Sequence, residues 1–281
     1  MEGSTSLTAL MAAVQRGRHR LEDPLPWIMD DPFALVMVGP RWPDLAAASR
    51  SRFSDELGRQ IRASIAVRSR YAEHRLVGGS FDQFVLLGAG LDSFAWRRPD
   101  LMGPLRVFEV DHPASQAWKR GRAAELGLPD NQHHVFAPVD FEVQSLRDGL
   151  DDAGFNWSRP TMFSWLGVVP YLTASAVEAT LRTIATCRTG SEVVFEYGLD
   201  RGHMDDMARE FSAGFSSVAT RIGEPLQGGW SPAEAEAAVG RCELRVADHP
   251  AQRDLVDRYF ADRSDGLQPW HATRLMAATV G

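Results

Sequence analysis

Leu86-Leu87-Gly88-Ala89-Gly90-Leu91-Asp92-Ser93 is the stretch whose reading decides the fold. It follows a short apolar run, Gln83 to Leu87, of strand length and precedes a polar, turn-rich passage. Glycines at 88 and 90 let the backbone turn tightly and come close to a ligand. A dinucleotide fingerprint would carry a third glycine at position 93, for close helix–strand contact beside a pyrophosphate, and Ser93 stands there instead. Alone, the two glycines are a weak signal, and a plain tight turn is the alternative.

Outward from this loop, apolar runs of strand length alternate with longer charged segments of helical period. The expected strands are Gln83 to Leu87, Leu105 to Val110, His134 to Val139, Thr161 to Leu166 and Glu192 to Tyr197. Most are continuous rather than alternating, which suits strands covered on both faces. Pro113 to Leu126 and Ala174 to Cys187 read as crossover helices, the second with Thr173 or Ser175 as its N-cap. Before Phe81 the pattern is helical with proline punctuation, and no strand is expected there. Beyond Asp200, Met204 to Ala219 reads as a helical cap over the site. Ser231, Pro232 and Glu234 then open a helix with a capping box, and Cys242 to Ala247 and His271 to Val280 are late strands. The expected fold is α/β: a Rossmann-like, doubly wound, mostly parallel sheet of about seven strands. The expected organisation is one domain, with an N-terminal helical region over 1–77, a cofactor-binding core over 78–199, the cap over 200–230 and completion of the sheet over 231–281.

Acids recur where strands end. Glu109 and Asp111 close the second expected strand, about 20 residues beyond the glycine loop, where a ribose acceptor belongs. Asp140 closes the third and is followed by Phe141, an acceptor beside an apolar surface that suits adenine. A glycine turn and two acids on successive strand ends fit an adenosine ligand without pyrophosphate better than a nicotinamide dinucleotide. The alternative is that these acids are ordinary loop carboxylates.

With 44% hydrophobic residues in 281, the chain can bury a large core. The formal charge of −7 is spread out, and no basic run tracks a phosphate backbone, so nucleic acid is not expected as a partner. No apolar stretch has the length of a bilayer span, and the N-terminus has no signal-peptide core, so a cytoplasmic location is expected. Cys187 and Cys242, the two cysteines, form no CxxC and have no histidine at metal spacing. Both read as core thiols, and no metal is expected.

Several ordered pieces carry a resemblance. They are Ser6-Leu7-Thr8-Ala9, Asp30-Asp31-Pro32-Phe33-Ala34, Arg68-Ser69-Arg70-Tyr71, the glycine loop, Phe108-Glu109-Val110-Asp111-His112-Pro113, Pro138-Val139-Asp140-Phe141 and Gly167-Val168-Val169-Pro170-Tyr171-Leu172. Over nearly its whole length the chain resembles the leucine carboxyl methyltransferase family and its bacterial natural-product relatives. The resemblance implies S-adenosylmethionine as cofactor and S-adenosylhomocysteine as product. It implies that Arg68 pairs with the methionyl carboxylate, that Gly88, Ala89 and Gly90 face the methionine portion, that Asp111 takes the ribose, and that Asp140 with Phe141 holds the adenine. Arginine suits the first role as a planar, permanently charged partner for a carboxylate, and Arg70 is expected to support it. The chain departs from the family at Leu166, where many members carry a glutamate before the glycine. Backbone carbonyls near Gly88 or Ser164 are then expected to hold the methionyl amino group. Trp165 either packs near the sulfonium or is a buried structural ring.

The implied activity is O-methylation of a carboxylate or hydroxyl on a small, aromatic or polyketide-like molecule. Candidate bases are His112, Tyr171, Glu196 and His203, and the sequence selects none of them. The stripe Met204, Met207, Phe211 and Phe215 fits core more readily than pocket. The N-terminal helices are open to a substrate lid or a homodimer interface. Competing readings are a nicotinamide-dependent oxidoreductase, weakened by Ser93 and by the lack of a YxxxK pair, and a binding protein without turnover, which Leu166 keeps open.

Overall fold

The structure, a computed structural model, describes residues 6–141, 143–221 and 225–281. Its strands are β1 (Gln83–Leu87), β2 (Arg106–Asp111), β3 (His134–Pro138), β4 (Thr161–Trp165), β5 (Glu192–Gly198), β6 (Leu244–Asp248) and β7 (Thr273–Val280). Among the described residues these form one seven-stranded sheet in the order β3-β2-β1-β4-β5-β7-β6. The first five are parallel, and β7 runs antiparallel between β5 and β6. The sheet is Rossmann-like, as expected, and each expected strand lies within two residues of its observed bounds. The chain starts the sheet at β1, builds outward to β3, then crosses back to β4. The loops after β1 and β4 therefore diverge at their C-terminal ends, the crevice where open α/β sheets bind ligands.

Around the sheet stand α1 (Leu7–Glu22), α2 (Ala34–Val38), α3 (Trp42–Arg52), α4 (Asp55–Gly78), α5 (Phe94–Arg97) and α6 (Pro113–Glu125). They are followed by α7 (Leu146–Asp152), α8 (Ala174–Ala185), α9 (Asp206–Arg221), α10 (Pro232–Arg241) and α11 (Gln252–Tyr259). Every residue of β1 and β4 is buried, which is why their sequences are apolar without alternation. Side chains still divide by parity. Val85, Leu87, Phe163, Trp165, Val193 and Phe195 pack with Leu150 of α7, Val177 and Leu181 of α8 and Val239 of α10. Phe84, Leu86, Met162 and Val194 pack on the opposite face with Ala63, Val67 and Tyr71 of α4 and Leu255 of α11.

Caps fix where the helices begin. Thr173 accepts a hydrogen bond from the Ala176 amide, resolving the choice between Thr173 and Ser175. Ser231 and Glu234 form the reciprocal capping box. His112 caps α6 through Nδ1, with Pro113 at the first helical position.

The N-terminal helices are bound to the sheet by a buried polar knot. The Asp31 carboxylate, 2% exposed, accepts from Arg16 Nε at 2.9 Å, Ser93 Oγ at 2.7 Å and the Phe33 amide at 3.1 Å. Arg16 also donates to the Leu91 carbonyl at 2.6 Å. Two sequence pieces that show no local function, Asp30 to Ala34 and Ser93, thus join α1 to the glycine loop. Cys187 and Cys242 are both buried free thiols, as expected. Among the described residues, no helix is long and apolar enough to cross a membrane.

Candidate functional site

The turn after β1 is left-handed at both glycines, with φ of +67° at Gly88 and +50° at Gly90. A Cβ at Gly88 would lie 2.4 Å from Val168 Cγ2, in the loop after β4, and one at Gly90 would lie 3.1 Å from Ala9 Cβ at the start of α1. Glycine is therefore required twice, for the sign of φ and for the approach of both neighbours. The amides of Gly88 and Ala89 donate to the Val110 carbonyl at 2.8 and 3.1 Å, which sets the turn against the end of β2.

Asp111, at that end of β2, accepts from the Gly90 amide at 2.6 Å and from the His112 amide at 2.7 Å, one on each oxygen. A carboxylate has about four acceptor positions, so each oxygen retains capacity toward the cavity. Burial pushes its carboxyl up, and the two amides and Lys119 offset this only in part. Asp140 and Phe141 follow β3, with Phe141 59% exposed and Asp140 Oδ2 4.0 Å from His112 Nε2.

Glu109 departs from expectation. It shares the strand with Asp111, yet its carboxylate is fully buried against α6 and β3. It accepts from Lys119 Nζ at 2.5 Å and contacts His134 Nε2 at 2.9 Å. It does not line the cavity. Its partners come from α6 and β3, and a residue two positions short of the strand end lies under helix rather than beyond the sheet edge. Its place in this structure is in a buried ion pair, and of the two acids it is Asp111 that lines the cavity.

Arg68, on α4, donates through Nη1 to Glu196 Oε2 of β5 at 2.6 Å, with side-chain exposures of 16% and 5%. Its guanidinium lies against Gly167, where φ is +72° and a Cβ would come 2.9 Å from Nη2. Arg70 is exposed on the far side of the helix turn and does not support Arg68. Sequence reading named Glu196 only as a base, and its pairing with Arg68 went unread because the two are 128 residues apart. The available signal was a single acid inside Val193-Val194-Phe195-Glu196-Tyr197, an otherwise apolar strand. Of the other candidate bases, Tyr171 and His112 line the cavity, the latter committed at Nδ1 to its cap, and His203, not itself on the lining, pairs with Asp200, which is.

A cavity of about 2440 Å³ opens at this end of the sheet. Arg68, Gly88, Ala89, Gly90, Asp111, Asp140 and Phe141 all line it, as do Leu57, Ile61 and Ile65 of α4, Leu172 after β4 and Trp270 before β7. The cap contributes Met204, which also packs against the core as expected, and Met207, which is 42% exposed and faces the pocket. The side chains of Phe211 and Phe215, and residues 222–224, lie outside the described residues. Trp165 is 3% exposed and belongs to the core beneath the site, touching the cavity at its floor.

A left-handed glycine turn, acids on the next two strand ends and an arginine on the facing helix define a cofactor-binding α/β fold of the methyltransferase type. The chain belongs to the leucine carboxyl methyltransferase family, whose model matches residues 9–185. It is 28% identical to a Bacillus subtilis (strain 168) protein named "Putative S-adenosyl-L-methionine-dependent methyltransferase YktD", with 99% of this chain and 98% of that one covered. A Mycobacterium ulcerans (strain Agy99) protein of the same description, without the suffix, is 31% identical, with 98% and 85% covered. Among solved structures, a DUF574 family protein from Streptomyces avermitilis MA-4680 superposes with a TM-score of 0.63 at 16% identity, covering 100% and 99% of the two chains. The cofactor of this chain is S-adenosylmethionine, and the nicotinamide alternative falls with that. The residues present fit the cofactor: two glycines leave bare backbone where a Cβ would intrude, and the cavity wall carries a guanidinium, Arg68, and a carboxylate, Asp111, of the kinds its carboxylate and ribose hydroxyls would need.

Proposed function

We propose that the chain is an O-methyltransferase for a carboxylate or phenolic hydroxyl on an apolar, aromatic or polyketide-like small molecule, acting in the cytoplasm as one methyltransferase domain. The observation that carries this is the cavity. At about 2440 Å³ it exceeds the 300–1,000 Å³ or so of a typical small-molecule site. It has room for an acceptor beside the cofactor, with Leu57, Ile61, Ile65, Leu172, Met204 and Met207 along that space.

The cofactor-holding roles are Arg68 on the methionyl carboxylate, Gly88 to Gly90 beside the methionine chain, Asp111 on the ribose, and Asp140 with Phe141 at the adenine. When bound, S-adenosylmethionine supplies an electrophilic methyl group on a sulfonium. The chain's own tasks are to align an acceptor oxygen in line with that group and to keep water out, which its apolar cap and helix α4 suit. A carboxylate is ionised at neutral pH and needs no base, whereas a phenol gains from an acceptor at its proton.

The test is an incubation with labelled S-adenosylmethionine and two acceptor panels, aromatic carboxylic acids and phenols of matched size. Methyl ester or methyl ether formation is the expected result. Tight cofactor binding with no product from either panel, and none from larger apolar acids, would leave a binding protein without turnover.

Asp111 gives this assignment a pH dependence. Because burial raises its carboxyl, the folded chain holds that proton more tightly than the unfolded chain. Its contribution to stability is therefore present below the ordinary aspartate pKa of about 3.9 and lost as pH rises through the folded value. Cofactor binding runs the other way, since the ionised form accepts the hydroxyl hydrogens. Affinity for S-adenosylhomocysteine should fall on acidification, starting above the pH at which an ordinary aspartate titrates, and Asp111→Asn should remove that phase. An affinity unchanged down to the ordinary carboxylate range would separate Asp111 from the ribose.

A further inference from the structure

The methionyl end of the cofactor is a zwitterion, and a mostly buried site must answer both of its charges. Arg68 answers the carboxylate. Leu166, at the end of β4, offers no charge to the ammonium. The register of the adjacent strands pairs Trp165 with Phe195, so one step further brings position 196 beside position 166. There stands Glu196, 5% exposed at its side chain, bonded to Arg68 at 2.6 Å and lining the cavity. Other acids on the cavity wall are placed or engaged differently. Asp92 accepts from the Phe94 amide, Asp200 from His203 and the Gly202 amide, Glu210 is exposed on α9 of the cap, and Asp111 and Asp140 stand over β2 and β3, across the glycine loop from β4.

We propose that Glu196 binds the methionyl ammonium group, and that the Arg68–Glu196 ion pair opens to admit the zwitterion, each side chain exchanging its partner for the matching ligand charge. The exchange keeps both side chains compensated in the free and the bound protein, so neither state contains a lone buried charge. Gly167 permits it, because its bare left-handed backbone leaves the guanidinium room beside the strand end. Glu196 thereby supplies from β5 what position 166 lacks on β4. The inference rests on Arg68 holding the carboxylate, as proposed above.

The experiment compares two ligands by calorimetric titration: S-adenosylhomocysteine, and its analogue with hydrogen in place of the α-amino group. Both are titrated into the wild-type chain, Glu196→Gln and Arg68→Ala. The wild type should prefer the amino ligand by about 10- to 100-fold, the range of a hydrogen bond to a charged group. In Glu196→Gln that preference should collapse to within about twofold. The amino ligand should weaken while the deaminated one holds or improves, since Arg68 no longer shares its charge with a carboxylate. A residue that only positions Arg68 would weaken both ligands equally, and that result overturns the proposal. So does a preference that survives in Glu196→Gln. Absence of any preference in the wild type overturns it without reference to a variant. Unchanged binding of both ligands to Arg68→Ala would instead sink the underlying site assignment, which separates the two failures.

Discussion

Replacing Glu109 with alanine should destabilise the fold by about 3–5 kcal/mol, because it strands the Lys119 ammonium at 1% exposure with its counter-charge gone. The His134 ring loses its carboxylate in the same step, and the Trp96 ring, 5.5 Å from the ammonium, is a weak substitute. In a chain of this size the melting temperature should fall by roughly 6–20 °C. Burial would raise the Glu109 carboxyl, but the charge of Lys119 and the hydrogen bond with His134 outweigh it and hold it down. A depressed carboxyl contributes stability above the unfolded value of about 4.3, and that contribution is lost as pH falls through the folded one. Thermal melts of Glu109→Ala should therefore differ from wild type at neutral pH and converge toward it in acid. The pair Glu109→Leu with Lys119→Met, which removes both charges, should recover most of the loss. It should also bind S-adenosylhomocysteine as the wild type does. A stable double variant that has lost the ligand would return Glu109 to the cofactor site.

On the assignment proposed above, Arg68→Ala should cost about 2–4 kcal/mol of cofactor affinity, roughly 30- to 1,000-fold, since it removes the charged partner of the methionyl carboxylate. Calorimetry with S-adenosylhomocysteine measures it directly, and Arg68→Lys should recover only part, because an ammonium lacks the planar fork. Wild-type affinity in Arg68→Ala would remove the residue from the site. Fold damage is read separately from the melting temperature, which Arg68→Ala should lower because Glu196, 5% exposed, loses its counter-charge, and which Arg68→Lys should largely keep.

Much of this fold was legible from residue order. Strands β1, β4 and β5 could be read because each is a short, mostly apolar run, and burial on both faces leaves no alternation to misread. The glycine loop was legible because left-handed backbone admits few residue types. What sequence hid was depth and distance. Glu109 and Asp111 share a strand face and a chemistry, and two residues of strand length separate a buried ion-paired acid from one at the cavity. The pair Arg68 and Glu196 and the knot of Arg16, Asp31 and Ser93 join residues far apart in the chain, so no local spacing marks them. Helix α11 lay inside a segment read as completing the sheet, because at eight residues it spans little more than two turns and offers only Leu255, Val256 and Tyr259 as apolar positions.

The central claim is that the crevice beyond β1 and β4 holds an S-adenosyl ligand, and parallel calorimetric titrations with S-adenosylmethionine, S-adenosylhomocysteine and NAD test it most directly. Saturable binding of the first two at one site per chain, with none for NAD, is the predicted result. Binding of NAD with silence from both S-adenosyl ligands would contradict it.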